Sequence, residues 1–523
     1  MSYNSFIYFG LFLGLVYGVW LITPKHQRPL VLLAASAVFY WFNAGHYIVW
    51  FIGGAIVTWA AGLLLGRLDE LFADAKPHLQ GAGRKAYKAK ITALKKGTVA
   101  GGAALLLGCL LVLKYSPFFG KALNSLFARL PGGFALALPK WVLPLGISFY
   151  TLMAVGYLVD VYRGVIRPSE KLWQVALFLG FWGHIVEGPF DRYGDMAPAL
   201  ISREQHPSYD NLCFGAQRIL WGLFKKIVVA DRANAYVKAV FDDFTQYSGA
   251  ATVVGTLLYT LQLYAEFSGC MDIVLGSGQL FGIPMAENFR QPFFSKTVGE
   301  FWRRWHITLG AWLREYLFQP FIMSRPVMRL GKWLRQKLGP AAGRSLPVWL
   351  GLVVTWVAIG WWHGAGWIYL IYGLYYCAFQ LLGQIAEPYL LKFMPFLPAW
   401  RKKLWYKAFQ VARTFVIVNV GMLLFRSNGA SNALYMLRQL CTPYTGSLLI
   451  KLDLRDMAVL GLGAALILLA DILHERGVHI RARIAAKPLP VRWAVYIGGA
   501  VLVMALGAYG DNYDPAAFIY AQF

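Results

Sequence analysis

Apolar residues come in runs of about 20, each long enough to cross roughly 30 Å of hydrocarbon as a helix, with short polar or basic stretches between them. The runs fall near 5–23, 29–43, 47–66, 98–114, 139–160, 213–230, 250–280, 347–362, 366–385, 410–426, 456–474 and 493–510. The pattern predicts an all-α polytopic membrane protein with about twelve spanning helices in a single transmembrane domain over 1–523. A further run, 172–190, carries His184, Glu187 and Asp191 at its end. It is expected to be re-entrant, because irregular backbone at membrane depth is tolerated only under protein or along a cavity. The chain turns apolar almost at its start, without a basic region or small-residue cleavage site, so the first run predicts a retained helix.

One stretch departs from this rhythm. Residues 288–345 are long, basic and aromatic, with Phe301, Trp305, Ile307, Leu309, Trp312, Leu313, Tyr316 and Leu317 at helical spacing. They predict amphipathic helices lying in or under the inner leaflet. Membrane anchoring alone explains these aromatics and arginines, but it does not require His306.

Composition supports membrane residence. Of 523 residues, 58% are hydrophobic and 14% charged, against roughly a quarter charged in soluble domains. A net charge of +25 raises the possibility of nucleic-acid binding. The basic residues, however, lie in the loops between apolar runs, as expected of loops held in the cytoplasm, and no nucleic-acid partner is expected. The stretch 67–96 is the most basic of these, and Arg401/Lys402/Lys403/Lys407 and Arg476/Arg481/Arg483/Lys487/Arg492 mark others. Placing them all inside puts both termini outside the cytoplasm. The five cysteines are scattered without a CxxC pair, which supports neither a zinc site nor a disulfide framework.

Ionisable groups in or beside spans are costly and each is a functional candidate. Here they are Asp160, His184, Glu187, Asp191, Glu266, Asp272, His306 and His363. His363 lies in Trp361-Trp362-His363-Gly364-Ala365-Gly366-Trp367, where one run of the 347–385 hairpin turns into the next. The glycines suit a tight turn or close approach, and the tryptophans would exclude water. A neutral imidazole there can take a proton from a hydroxyl, but it can equally be a hydrogen-bonded histidine at a hairpin tip. Glu266 and Asp272 can line a polar tunnel or tie neighbouring helices together. Known nucleophile elbows, P-loops and HExxH motifs are absent from the sequence.

Taken in order, these residues resemble the membrane-bound O-acyltransferase family, in its bacterial polysaccharide-modifying branch. The resemblance runs through Leu143 to Tyr150, Tyr157 to Gly164, Gly188-Pro189 with Asp191-Arg192-Tyr193, Glu266 to Gly269 and Asp272. It continues through Asn288 to Phe293, Glu300-Phe301-Trp302-Arg303-Arg304-Trp305-His306 and Trp362-His363-Gly364. It implies re-entrant and amphipathic helices around a central tunnel, with His363 as catalytic base and His306 as the second signature residue. Trp302, Arg304, Trp305, Trp362, Glu266 and Asp272 become candidates for the substrate tunnel.

The implied reaction moves an acyl group, acetyl by preference, from a cytoplasmic thioester to a hydroxyl of an exported cell-envelope polysaccharide or of an extracytoplasmic relay partner. The donor would be acetyl-CoA, or alternatively an acylated carrier protein, with no cofactor held permanently. The implied location is the bacterial cytoplasmic (inner) membrane, with lipid as a partner.

Full length and the Phe518-Ile519-Tyr520 tail resemble alginate O-acetylation proteins. Gly188 to Tyr193 and Tyr372 to Tyr375 resemble D-alanyl transfer proteins of lipoteichoic acid synthesis. Where the alginate type carries Pro-Leu-Gly-Gly, this chain reads Gln319-Pro320-Phe321-Ile322-Met323, which leaves both acyl groups open. Two readings of other classes stand beside these: a transporter using His363, Asp272 and Glu266 as a proton relay, and a non-catalytic scaffold for envelope synthesis.

Overall fold

The computed structural model describes residues 1–5, 7–130, 134–138, 141–202 and 205–509. Among them the chain is helical almost throughout, and the isolated bridge Phe289–Trp305 is the β pairing. The tail at Phe518 to Phe523 lies outside the described residues, as do residues 139–140 and 510 at two span boundaries.

The chain divides into two compact units, residues 1–216 with 274–286, and residues 217–273 with 287–523. The first contains α1 (Gly14–Ile22), α2 (Arg28–Ala44), α3 (Ile48–Ala75), α4 (Gly81–Phe127), α5 (Ile147–Arg163), α6 (Leu172–Gly180) and α7 (Tyr193–Leu200). The predicted basic loop 67–96 is mostly helix. Only a short connection parts α3 from α4, because Ala, Lys, Leu and Glu continue a helix readily once the apolar run ends. At 47 residues, α4 is about 70 Å long, more than twice the hydrocarbon thickness. Its exposed Arg84, Lys85, Lys88, Lys90 and Lys96 occupy the early, polar part, where Lys95 pairs with Asp69 at 2.7 Å.

Small residues bring α3, α4 and α5 together. A Cβ on Gly62 would lie 2.9 Å from the Tyr157 ring, and one on Gly102 would lie 2.8 Å from Leu158. Close backbone approach of this kind replaces the hydrophobic driving force that is absent between helices in lipid. The predicted run 139–160 is helical only from Ile147. Pro144 and Gly146 make a turn before it, and Gly146 sits at φ +66° against the Ile185 carbonyl.

The apolar stretch 172–190 forms a helix of nine residues, α6. At about 14 Å it is too short to span. The following turns, Phe181 to Phe190, are almost wholly buried, the condition under which such backbone survives in a membrane protein. In these turns His184 Nδ1 lies 3.5 Å from Asp191 Oδ2, and Asp191 Oδ1 accepts the Ala286 N–H at 2.9 Å.

The second unit takes in the later parts of α8 (Tyr209–Leu223) and α10 (Gly249–Leu280, to Ile273), with α9 (Asp231–Asp242) between them. The rest follows Glu287: α11 (Val298–Arg304), α12 (Ile307–Leu313), α13 (Gln319–Ile322), α14 (Arg325–His363), α15 (Trp367–Phe393), α16 (Leu397–Trp400), α17 (Leu404–Arg426), α18 (Ala430–Gln439), α19 (Leu454–Glu475), α20 (Ile480–Ala485) and α21 (Leu489–Leu506).

Two expectations for 288–345 change. The helical periodicity there is broken at Trp305-His306, where Trp305 is extended against Phe289. The segment also has no clean border with the next span. A helix starts at Arg325, reverses at Gly339 (φ +90°) and Pro340, and then runs to His363. A Cβ on Gly343 would lie 2.8 Å from the Gly331 carbonyl oxygen, so the two arms touch.

Seven helical stretches among the described residues are long and apolar enough to cross a membrane, including Lys25–His78, Gly81–Phe127 and Arg325–His363. The chain is therefore a multi-pass membrane protein, although the count of about twelve is not reproduced by this measure. Among the described residues each predicted run contains helix, although 139–160 is helical only from Ile147 and the last run only to Leu506. α5 and α10 fall outside the seven: α5 has 17 residues and is slightly too short, α10 carries Glu266 and Asp272, and most residues of both are buried.

Gly146 offers a test. Gly146→Ala places a methyl 1.9 Å from the Ile185 carbonyl at positive φ, whereas Gly164→Ala meets positive φ alone, with nothing within 4 Å. The second should cost about 1–2 kcal/mol and the first should prevent accumulation of folded protein. Fluorescence-detected size-exclusion thermostability of both variants checks the order.

Candidate functional site

His363 and His306 both belong to the second unit, and both sit where a helix breaks. His363 is the last residue of α14 and is 4% exposed. Gly364 and Gly366 then carry the chain to α15 in extended conformations, with φ of −177° and −157°. Their value is space rather than positive φ. A Cβ on Gly364 would lie 2.2 Å from the Tyr369 ring, and one on Gly360 would lie 2.4 Å from the Tyr369 carbonyl oxygen. Gly373 likewise admits the Trp356 carbonyl. α14 and α15 therefore pack backbone to backbone, and the histidine is held at their shared end.

The wall around His363 differs from the expected three tryptophans. Trp362 packs on it with ring centroids 5.0 Å apart, but Trp367 is 63% exposed and belongs to the outer surface. Tyr372 and Phe425, at 5.7 and 5.2 Å, complete the enclosure. Tyr372 belongs to a stretch that carried a resemblance, whereas Phe425 carries no sequence signal of its own and arrives from α17 through tertiary packing.

His306 is 2% exposed and lies between α11 and α12 in the left-handed region, at φ +49°. Its ring meets Phe267 edge-on at 4.9 Å and Trp362 at 5.8 Å. Trp362 thus touches both imidazoles and brings two distant motifs into one aromatic enclosure. Burial, with a smaller contribution from His363, holds the His306 pKa well below its usual value, so the ring is neutral at physiological pH.

The strained backbone of His306 is held by neighbours. Asn288 accepts the Ile307 N–H at 3.0 Å through its carbonyl, and the Arg290 N–H reaches the Arg304 carbonyl at 2.9 Å. The Asn288 side-chain oxygen sits 3.2 Å from His306 Nδ1 and accepts from Thr308 N–H and Oγ1–H, at 3.1 and 2.9 Å.

The remaining candidates separate. The ring of Trp302 packs with Trp356 and Tyr376 at 5.1 and 5.0 Å and approaches Tyr372 at 6.3 Å. Its buried indole N–H has no hydrogen-bond partner among the described residues. Trp305 is 2% exposed and stacks on Phe301 at 5.5 Å, so it is core packing beneath His306. Arg304 pairs with Glu300 at 2.8 Å and Glu475 at 2.7 Å, fastening α11 to α19.

Glu266 and Asp272 are engaged by cations absent from the candidate list. Lys226 Nζ lies 2.7 Å from Glu266 and 2.9 Å from Asp231. Asp272 pairs with Lys225, and with Arg218 at 2.9 Å, while Arg218 also holds Glu287. Two adjacent lysines inside an apolar run are a signal the sequence did contain. Their burial follows from the π-helical stretch Phe224–Ala230, which changes the register at which side chains leave the helix. Contact between Gly222 and Gly269 brings the α8 and α10 backbones close enough for these short salt bridges.

A many-helix membrane protein with two buried histidines sharing an aromatic enclosure defines the class. The comparisons add the family. Residues 171–425, which include both histidines, match the model of the membrane-bound O-acyltransferase family. A probable alginate O-acetylase of Azotobacter vinelandii is 30% identical over 376 residues, 72% of this chain and 67% of the relative. A peptidoglycan O-acetyltransferase of Helicobacter pylori is 30% identical over 325 residues, 57% of this chain and 56% of that protein. A teichoic acid D-alanyltransferase of Bacillus subtilis is 27% identical over 286 residues, 54% and 68% respectively. The chain belongs to the membrane-bound O-acyltransferase family and is an acyltransferase.

The ion-pair network predicts a stability phenotype. Lys226→Met leaves Glu266 and Asp231 without their shared cation and should cost about 3–5 kcal/mol. Glu266→Gln added to that variant should restore part of the loss, read as thermal stability in detergent.

Proposed function

We propose that this protein moves an acetyl group from a cytoplasmic thioester, acetyl-CoA, to a hydroxyl of an exported cell-envelope polysaccharide or of a protein that relays the group to it. The observation that carries the proposal is the convergence of His363 and His306 on the Trp362 ring, 5.0 and 5.8 Å away. These are the two signature histidines of an acyltransferase family, buried in an aromatic enclosure that limits water. In such a setting hydrolysis of the thioester is suppressed and a positioned base is effective.

His363 acts as general base. It takes the proton of the acceptor hydroxyl as the oxygen bonds to the thioester carbonyl carbon. Collapse of the tetrahedral intermediate breaks the C–S bond, and the leaving thiolate receives the proton from the imidazolium. The ester and a free thiol result, and the histidine is regenerated. His306 lines the donor side of the enclosure. The protein resides in the bacterial cytoplasmic membrane with both termini outside, because that orientation keeps the basic stretches inside. Acetyl and polysaccharide are favoured by the names of the alginate and peptidoglycan relatives. D-alanyl transfer to a teichoic-acid-type polymer is the second reading, favoured by the Bacillus subtilis relative.

Radiolabelled acetyl-CoA offered to vesicles containing the full-length protein and an envelope polysaccharide tests the reading. Transfer should fall by at least ~100-fold in His363→Ala and His363→Gln, with unchanged gel-filtration profiles. Undiminished transfer in a folded variant overturns the base assignment. Label accepted only from a D-alanyl carrier protein selects the second reading.

A further inference from the structure

Asn288 is 1% exposed, and its side chain is fully committed. Which end of its amide faces His306 is settled by chemistry. The atom 3.1 Å from the Thr308 backbone N–H must be an acceptor, so it is the amide oxygen. That same oxygen lies 3.2 Å from His306 Nδ1. An amide oxygen cannot donate, so the pair is a hydrogen bond only when Nδ1 carries the proton. The amide nitrogen points away, toward the Met271 sulfur at 3.3 Å. Reversing the amide would set its NH2 against the Thr308 N–H, two donors in a buried place.

We propose that Asn288 is a positioning residue that holds His306 as the Nδ1–H tautomer, so that His306 meets substrate through the Nε2 lone pair, as a hydrogen-bond acceptor. The Nδ1 proton stands on the geometry and the bare Nε2 on the burial that keeps the ring neutral, while the use of the tautomer in the reaction rests on the acyl-transfer reading above. Which ring nitrogen is protonated is set by what the other nitrogen bonds to, and here the partner accepts. A neutral imidazole presenting a lone pair cannot donate to the thioester carbonyl as charge develops on its oxygen. His306 is therefore not the group that stabilises that oxygen. Toward a bound acceptor or donor its Nε2 can only receive an O–H or N–H.

The geometry also explains why an asparagine stands at this position. Aspartate would accept the same bonds but add a charge to a buried site. Leucine would fill the space and accept nothing. The left-handed conformation of His306 lets its ring and the Thr308 N–H reach one oxygen together.

The test is nitrogen NMR of the full-length protein in nanodiscs, labelled with 15N in the histidine rings, with His306 assigned by its loss in His306→Asn. The wild-type spectrum should show a protonated Nδ1 and a bare Nε2. Asn288→Leu should shift the ring toward the Nε2–H form and lower kcat for acyl transfer roughly tenfold or more, with donor KM little changed. Thr308→Val removes one bond to the same oxygen but leaves the His306 contact, and should keep the tautomer and most of the activity. A wild-type Nε2–H signal overturns the inference without reference to activity, as does a folded Asn288→Leu that keeps Nδ1–H. If the wild type shows Nδ1–H but transfers no acyl group, the tautomer stands and the functional reading fails.

Discussion

Inside hydrocarbon no water is available to satisfy a backbone N–H or C=O, so each break in a helix must bring its own partners. The structure of this protein follows from how it meets that demand. Continuous helices answer it along most of the chain. Among the breaks are the turns after α6, the Trp305-His306 break and the end of α14, where Phe181 to Ile185, Trp305, His306, His363 and Gly364 are buried. At the His306 break, the Phe289–Trp305 bridge and the Asn288 carbonyl supply the missing partners. Both histidines thus sit at helix breaks, where side chains can leave the regular surface of a helix and point into an enclosure.

Close approach of backbones is the second theme, and it depends on the first. Once helices run uninterrupted, their association relies on packing rather than on the hydrophobic effect. Gly222 with Gly269, and Gly360 and Gly373 with the carbonyls facing them, let helix axes come near enough for side chains to interlock. The same proximity makes the salt bridges of Lys225 and Lys226 short. Buried ion pairs of this kind fix one arrangement of helices more than they add net stability. They tie α8, the π-helical stretch after it, α9 and α10 together.

Much of this was legible beforehand. Helical class and membrane residence follow from run length and periodicity, and the irregular backbone after the short helix of 172–190 was likewise expected. Other features were hidden. The helices of the basic stretch 67–96 outlast their apolar runs, because apolar length reports membrane thickness and not helix length. Glu266 and Asp272 were visible as buried acids. Their cations became evident as partners only once the π-helical stretch set the register of Lys225 and Lys226.

By itself, then, the sequence determined the helical, membrane-resident class and which buried ionisable residues are candidates for chemistry, because hydropathy and side-chain type are local properties. Tertiary structure alone decided that Trp362 joins the two histidines, that Phe425 and Tyr372 enclose His363 while Trp367 faces outward, and that Asn288 lies against His306. Those outcomes depend on which helix faces which and on where backbones touch. Such contacts join residues far apart in the chain, and a local pattern carries no record of them.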